Sequence, residues 1–355
     1  MTDLLYFNRT ELAKRLLISL KDGIAHALTL FAPRRMGKTA FLLHDIEPMA
    51  KEMGFHVFYF SFMNDNQLNI ENEFKGSLLN FLYHIQPSKH LNSIKRVDVL
   101  GVGVERSDLQ QTHTSVVEVI NLIAKSNKPT LFLLDEAQEL ARLKNTDGLV
   151  RALRTGLDIN KSKIKTIFTG SSTNGLRSMF HDNKAPFFEF AHALDFPNLT
   201  KDFTDHLVKI YESRTGENMD NDALFSIFQK LQYNPMHTRT IVQNMIINPN
   251  LNLSTAYQER LAEINRNQNH IGKWQALSEL EKQILILVGT GETSLYSNKT
   301  RETLAQRLGV ETLTNSSIQG KVRKLINMDY LTRNADGALC VNDDNLVSWI
   351  KLSIL

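Results

Sequence analysis

The chain of 355 residues contains a single cysteine, Cys340. One thiol excludes an internal disulfide framework and points to a reducing compartment. Long apolar runs are missing too: no stretch approaches the roughly 18 residues that a membrane-crossing helix needs. The first residues, with Thr2 and Asp3 early, lack the basic and then apolar order of a secretory leader. The expectation is a cytoplasmic protein with no membrane partner. Neither sign of charge is in large excess, since 41 Lys and Arg against 38 Asp and Glu leave +3. That balance permits nucleic-acid binding without indicating it. The 11 His are scattered without the i, i+4 pairing around Glu of a zinc helix. No thiol or Ser-His-Asp arrangement stands out. What is present, 42% apolar and 22% charged residues with only 8 Pro and 17 Gly, is an ordinary globular composition sufficient for two or three domains.

From 28 to about 196, short β-rich runs alternate with longer amphipathic stretches, the pattern of a three-layer α/β domain with a mainly parallel sheet. Strands are predicted at 28–32, 55–62, 130–134 and 164–169, each nearly continuous in apolar or β-branched residues, as strands covered on both faces are. Phe74, Leu78, Phe81 and Leu82 recur at helical spacing and predict a helix over 71–85. RVDVLGVGVER at 96–106 reads as a small β insertion, its lone Gly101-x-Gly103 being too weak for a nucleotide motif. Beyond 200 the helical segments 200–215, 220–232 and 235–247 suggest a lid. After the polar NRNQNH at 265–270, three helices and a hairpin turning at Asp336-Gly337 outline a winged helix-turn-helix. The domains expected are a core over 1–199, a lid over 200–270 and the winged helix over 271–355.

The window Ala32 to Thr39 fits the phosphate-binding template G-x-x-x-x-G-K-[ST] at every defined position except the first. It follows a strand and precedes an amphipathic helix, which places the N–H groups of Arg35, Met36, Gly37, Lys38, Thr39 and Ala40 around an anion at a helix N-terminus. Gly37 lets the main chain approach phosphate. Lys38 would bridge the β and γ phosphates, and Thr39 would put its hydroxyl on Mg²⁺. The alternative is a basic turn, Arg34-Arg35, ahead of a surface helix. A second motif tips the balance: TLFLLDEAQEL at 130–140 is an apolar strand ending in two carboxylates, on a predicted parallel strand adjacent to the loop's. Asp135 would orient Mg²⁺ and Glu136 polarise the attacking water. A third strand ends in FTGSSTNGL, where Ser171, ahead of Ser172 and Asn174, is the candidate to face the γ-phosphate, or merely caps the next helix.

The segments YFNRTEL (6–12), APRRMGKTAFL (32–42), LFLLDEAQEL (131–140), FTGSSTNGLRSMF (168–180) and APFFEFAHALDFPNL (185–199) occur in this order, followed by the C-terminal helices and hairpin. Together they resemble the archaeal-type ATPase family, a branch of the AAA+ proteins close to STAND signalling NTPases and origin recognition ATPases. The likeness runs over most of the chain. It implies ATP and Mg²⁺ as ligands, places Phe7, Asn8 and Arg9 near the adenine, and asks the lid for a second sensor. Two departures stand out. Where AAA+ lids carry Gly-x-Pro-Arg, this chain has Tyr233-Asn234-Pro235-Met236; Arg239, one turn later, is the substitute, or a plain surface arginine. Where relatives carry an arginine after the sensor helix, only Lys184 and Glu189 occur, with Arg177 as a replacement or a solvent-facing residue. A finger supplied in trans contributes on the order of 10³–10⁵ in rate. Slow hydrolysis by the isolated chain follows, with a homo-oligomer or protein partner as the source of the arginine.

The recognition helix is expected over 314–328, with Lys321, Arg323 and Lys324 clustered on it, Ser316, Ser317 and Gln319 beside them and Arg333 on the wing. Yet residues 277 to 355 hold nine Lys or Arg and nine Asp or Glu. Since phosphate neutralisation dominates DNA affinity, a neutral domain predicts weak or assisted binding of double-stranded DNA. The sequence therefore reads as an ATP-binding, slowly hydrolysing switch ATPase whose nucleotide state controls DNA engagement or self-assembly. The alternative is a nucleotide-stabilised interaction module whose winged helix docks a partner.

Overall fold

A computed structural model describes residues 3–63, 69–86, 114–142, 146–170, 179–180, 185, 187–267, 270–292, 294–328, 330–333, 339–341, 346–347 and 349–350. The chain divides into two units, one of residues 8–197 and the other of residues 1–7 with 198–355. The 96–106 segment and the Asp336-Gly337 turn lie outside the described residues.

The first unit is built on the β-rich runs. β1 (Ala27–Phe31), β2 (His56–Ser61), β3 (Thr130–Asp135), β4 (Ile164–Gly170) and β5 (His192–Asp195) form one parallel sheet in the order β2-β3-β4-β1-β5. β4 thus lies between the strand before the phosphate loop and the strand carrying Asp135, which are not neighbours. The expected adjacency is corrected on this point, because β4 pairs with both β1 and β3. β5 was not anticipated: it is a four-residue edge strand whose His192 and Asp195 are exposed, so it carries little apolar signal.

Alternation along the strands sorts their side chains onto two faces. Phe132, Leu134 and Phe168 join one buried cluster with α4 (Ile70–Ile85), α5 (Val116–Ala124) and α7 (Asp147–Ile159). Leu131, Leu133 and Ile167 join a second with α1 (Thr10–Lys21) and the helical run that follows the loop, α2 (Lys38–Phe41), a π-helical turn (Leu42–Ile46) and α3 (Glu47–Glu52). Each fully buried Leu or Phe contributes roughly 1.5–3 kcal/mol, so the layers are held firmly enough to fix what the strand ends carry. Where α5 meets α7, a Cβ on Gly156 would lie 2.8 Å from Ile120 Cδ1, so only glycine lets the two helices come this close. The short α6 (Glu139–Arg142) follows β3.

In the second unit, helices Lys201–Thr215, Asn221–Lys230, Pro235–Ile247 and Leu253–Asn267 gather around Phe203, Leu207, Phe228 and Ile241. The Leu253–Asn267 helix was not anticipated, its sequence being mostly polar. Asp220 and Asn234 cap their helices by accepting from the N–H groups of Ala223 (3.0 Å) and His237 (3.2 Å), and Pro235 occupies the first turn. The short His270–Gln275 helix leads on to helices Glu279–Gly289, Asn298–Leu308 and Asn315–Asn327, which pack with the antiparallel strands β6 (Leu331–Arg333) and β7 (Leu339–Val341) around Leu285, Leu304, Val322 and Trp349. Among the described residues no helix is long and apolar enough to cross a membrane.

Candidate functional site

β1 is buried along its whole length, and the loop leaves it at Ala32. Ala32 is itself buried beside Met36 and Phe41. The left-handed residues of the loop are Arg35 (φ 69°) and Gly37 (φ 88°), and Ala32 is not among them. Glycine is therefore not required at the template's first position, and the Ala32 methyl joins the core. At Gly37 the backbone is left-handed, a conformation that glycine adopts without the strain a Cβ would bring. Arg35 holds its left-handed backbone at a strain of about 1 kcal/mol.

The Lys38 side chain is buried, and its Nζ donates to the carbonyls of Ala32 (2.7 Å) and Pro33 (2.8 Å). Burial lowers the ammonium to about 8; Glu136 and Asp135 oppose that shift and Arg34 adds to it. Thr39, at the exposed first turn, donates its hydroxyl to Asp135 Oδ2 at 2.6 Å.

Asp135 ends β3 and is 2% exposed. Its carboxylate accepts from four donors: Thr39 Oγ1 and Tyr59 Oη (3.2 Å) at Oδ2, and Thr169 Oγ1 and the Glu136 N–H (3.1 Å) at Oδ1. Tyr59 comes from β2 and Thr169 from β4, the strands flanking β3. Burial, and then the neighbouring Asp135 charge, push the Tyr59 phenol up, so it stays a proton donor at neutral pH. Tyr59 belongs to no recognisable motif, and Thr169 lies two residues before Ser171 in the FTGSSTNGL segment, where Ser171 was expected to serve; the strand order, with β3 between β2 and β4, brings both to Asp135.

Glu136 follows immediately with a left-handed backbone (φ 53°), rare for a non-glycine residue and characteristic of functional turns. The Gln138 side-chain amide donates to its carboxylate. Gln138 was also missed, since glutamine two positions after an acidic pair carries no signal of its own.

The other expected residues fall in three places. Arg9 stacks its guanidinium 4.1 Å over the Phe196 ring, donates to the Pro197 carbonyl, and takes the Asp45 carboxylate on its backbone N–H at 3.0 Å. Asn8 is exposed beside it. Phe7 belongs to the second unit, edge-on to Phe203 and His206. Arg239, also in that unit, is paired with Asp3 at 2.5 Å. Ser171, Ser172, Asn174, Arg177 and Lys184 lie outside the described residues; the residue that β4 demonstrably brings to the site is Thr169.

Lys321 and Lys324 both donate to Glu281 Oε1, at 3.1 and 2.9 Å. Glu281 is fully buried at the start of the Glu279–Gly289 helix, where it forms a capping box with Ser278. Burial alone raises its carboxyl, but hydrogen bonds from Lys324, Ser278 and Lys321 outweigh it and hold it at about 2. Two of the cations expected to meet DNA thus serve a carboxylate of the fold. Arg323 is exposed, and Arg333 ends β6.

The structure thus joins a loop with a left-handed glycine and a buried lysine to a strand-end aspartate through Thr39. The profile of the ATPase domain predominantly from Archaea matches residues 6–229. The chain belongs to this family. Among solved structures, a Walker-type ATPase of Pyrococcus abyssi is similar with a TM-score of 0.60 at 16% identity, over 98% of this chain and 96% of that one. The ORC2 protein of Aeropyrum pernix in its ADP form is similar with a TM-score of 0.56 at 15% identity, over 97% and 92%. At these identities the likeness is one of fold. No curated protein matches the sequence. The archaeal ATPase domain therefore sits on the expected parallel α/β sheet, with its P-loop at the end of β1.

Proposed function

We propose that this archaeal-family ATPase binds ATP with Mg²⁺ at the ends of β1 and β3 and hydrolyses it slowly to ADP and phosphate. Its bound state would control DNA engagement or self-assembly through a winged helix formed by the C-terminal helices and ribbon. The observation that carries the reading is the convergence of Lys38, Thr39, Asp135 and Glu136 from two non-neighbouring strands. A phosphate would approach the backbone at Gly37, where no side chain covers the main chain. The Lys38 ammonium, held now by two loop carbonyls, would turn to that phosphate. Thr39 and Asp135 would hold Mg²⁺, which supplies charge neutralisation at the phosphates. Glu136 would orient the attacking water, with Gln138 restraining its carboxylate until then. The fold-sharing ORC2 protein of Aeropyrum pernix was solved with ADP, which supports the nucleotide assignment. An arginine from a second copy or another protein would complete the site.

The test is steady-state hydrolysis of Mg-ATP across a titration of mixed-sequence duplex DNA at low salt, with Lys38→Ala as the blank. Stimulation above that blank supports a DNA-responsive ATPase. Absence of ATP binding by the parent chain would end the reading.

A second reading, a nucleotide-stabilised docking module, is favoured by the engagement of Lys321 and Lys324 with Glu281. It requires a Lys38→Ala chain to bind its partner as the parent does.

A further inference from the structure

At the end of the sheet opposite the phosphate loop, β3 and β4 are entered from the loops KSNKPT (125–130) and DINKSKIK (158–165), which hold five Lys and one Asp. The loops are fastened together: the Thr130 N–H donates to the Lys163 carbonyl at 2.9 Å, and the Asn160 side chain donates to Asn121 at 2.7 Å. Lys125, Lys128, Lys161 and Lys163 are exposed. Asp158, the only acid of the two loops, is paired with Arg154 at 3.2 Å. Among the described residues no carboxylate stands within ion-pair distance of those four lysines. Lys51, Lys201, Lys282, Arg239 and Arg260, by contrast, each have one.

Two histidines on the same edge register the resulting field. His26 precedes β1, and burial lowers its imidazole, with Lys161 and Lys165 adding to the effect against Asp158. His56 opens β2 and is lowered by burial and then by Lys128. Lys128 thus acts on His56 at the start of β2, and Lys161 and Lys165 act on His26 ahead of β1.

We propose that this lysine edge is a sequence-independent contact for the phosphate backbone of double-stranded DNA. The inference rests on the DNA reading above and moves its electrostatic part from the C-terminal helices to the ATPase unit. Lysine heads are compact point charges without the planar fork that reads bases, and they suit a phosphate row. They also resolve a mismatch: the C-terminal region is net neutral and two of its lysines are bonded to Glu281, whereas DNA affinity comes mainly from unpaired cations.

The experiment uses the full chain and a mixed-sequence duplex, with affinity followed by fluorescence anisotropy between roughly 50 and 200 mM salt. The quadruple variant Lys125→Gln, Lys128→Gln, Lys161→Gln, Lys163→Gln is compared with the parent, and its melting temperature and ATP affinity confirm that it is folded. The slope of log affinity against log salt should become shallower by about 3 to 4, at about 0.9 per neutralised phosphate, with at least tenfold weaker binding at low salt. A parent that binds duplex and a variant that keeps the slope would overturn the lysine edge and leave the DNA reading standing. A parent that binds no duplex at low salt would remove both. Lysine-dependent capture by anionic phospholipid vesicles with no DNA binding would overturn the partner class, exposed Ile159 beside the lysines then marking a lipid surface.

Discussion

Lys38 is a buried cation whose solvation has been replaced by two carbonyls, and its pH behaviour follows from that exchange. The folded chain releases this proton near 8, the unfolded chain only near 10.5. Between those values the unfolded state binds more protons, so stability rises with pH there. Lys38→Met should abolish that rise and be more stable at neutral pH by up to about 3 kcal/mol, read from denaturant unfolding at pH 7 and pH 10. ATP prefers the charged lysine. Its affinity should fall up to about tenfold per pH unit above 8, and a dissociation constant that stays level through pH 9 would show that the ammonium does not titrate in the free protein. Glu136→Gln should leave ATP binding intact and lower turnover by roughly 100-fold or more; equal turnover would take the role from Glu136. These residues were legible because loop and strand end each concentrate their chemistry within a few positions. Tyr59 was not, since strand order rather than residue pattern brings it to Asp135, and Thr169 was passed over for Ser171 within the same segment. Thr169→Val should keep the fold and ATP binding while lowering turnover, a split that single-turnover kinetics would resolve from binding.

The four predicted strands and the α4 helix agree with the sequence to within a residue or two at each end, although β2, at the sheet edge, buries only alternate residues of its second half instead of both faces. β5 and the Leu253–Asn267 helix escaped for opposite reasons, one too short and half-exposed, the other too polar. Helix Asn315–Asn327 is an element whose position was legible and whose electrostatics were not. Its two lysines answer Glu281, about 40 residues earlier on another helix, and sequence spacing holds no trace of that pairing. The Glu281 carboxyl lies at about 2 in the fold against 4.5 for an ordinary glutamate. Its stabilisation is complete above 4.5 and is lost as pH falls through 2. Glu281→Gln should therefore lose acid dependence between about pH 4.5 and pH 2, and at neutral pH lower stability by roughly 1–2 kcal/mol, because Lys321 and Lys324 are partly exposed and recover water. The difference between parent and variant melting curves checks both.

Across the whole molecule, the ATPase unit occupies residues 8–197, while residues 1–7 belong with everything after 197. Its two ends adjoin, Arg9 bonding the Pro197 carbonyl and covering the Phe196 ring. A fragment of residues 8–197 should consequently fold and bind ATP by itself, whereas deletion of residues 1–7 should lower the melting temperature of the other unit. Differential scanning calorimetry of the two shortened chains separates these outcomes. The same arrangement sets an order in time. Asp3, Leu4 and Phe7 find their partners in Arg239, His206 and Phe203. On the ribosome the first residues made must therefore wait for partners roughly two hundred positions later, and at roughly 5–20 residues per second the wait to reach Phe203 is on the order of ten to forty seconds. The parallel sheet, whose last strand ends at Asp195, can close ahead of the segment that precedes it in the chain.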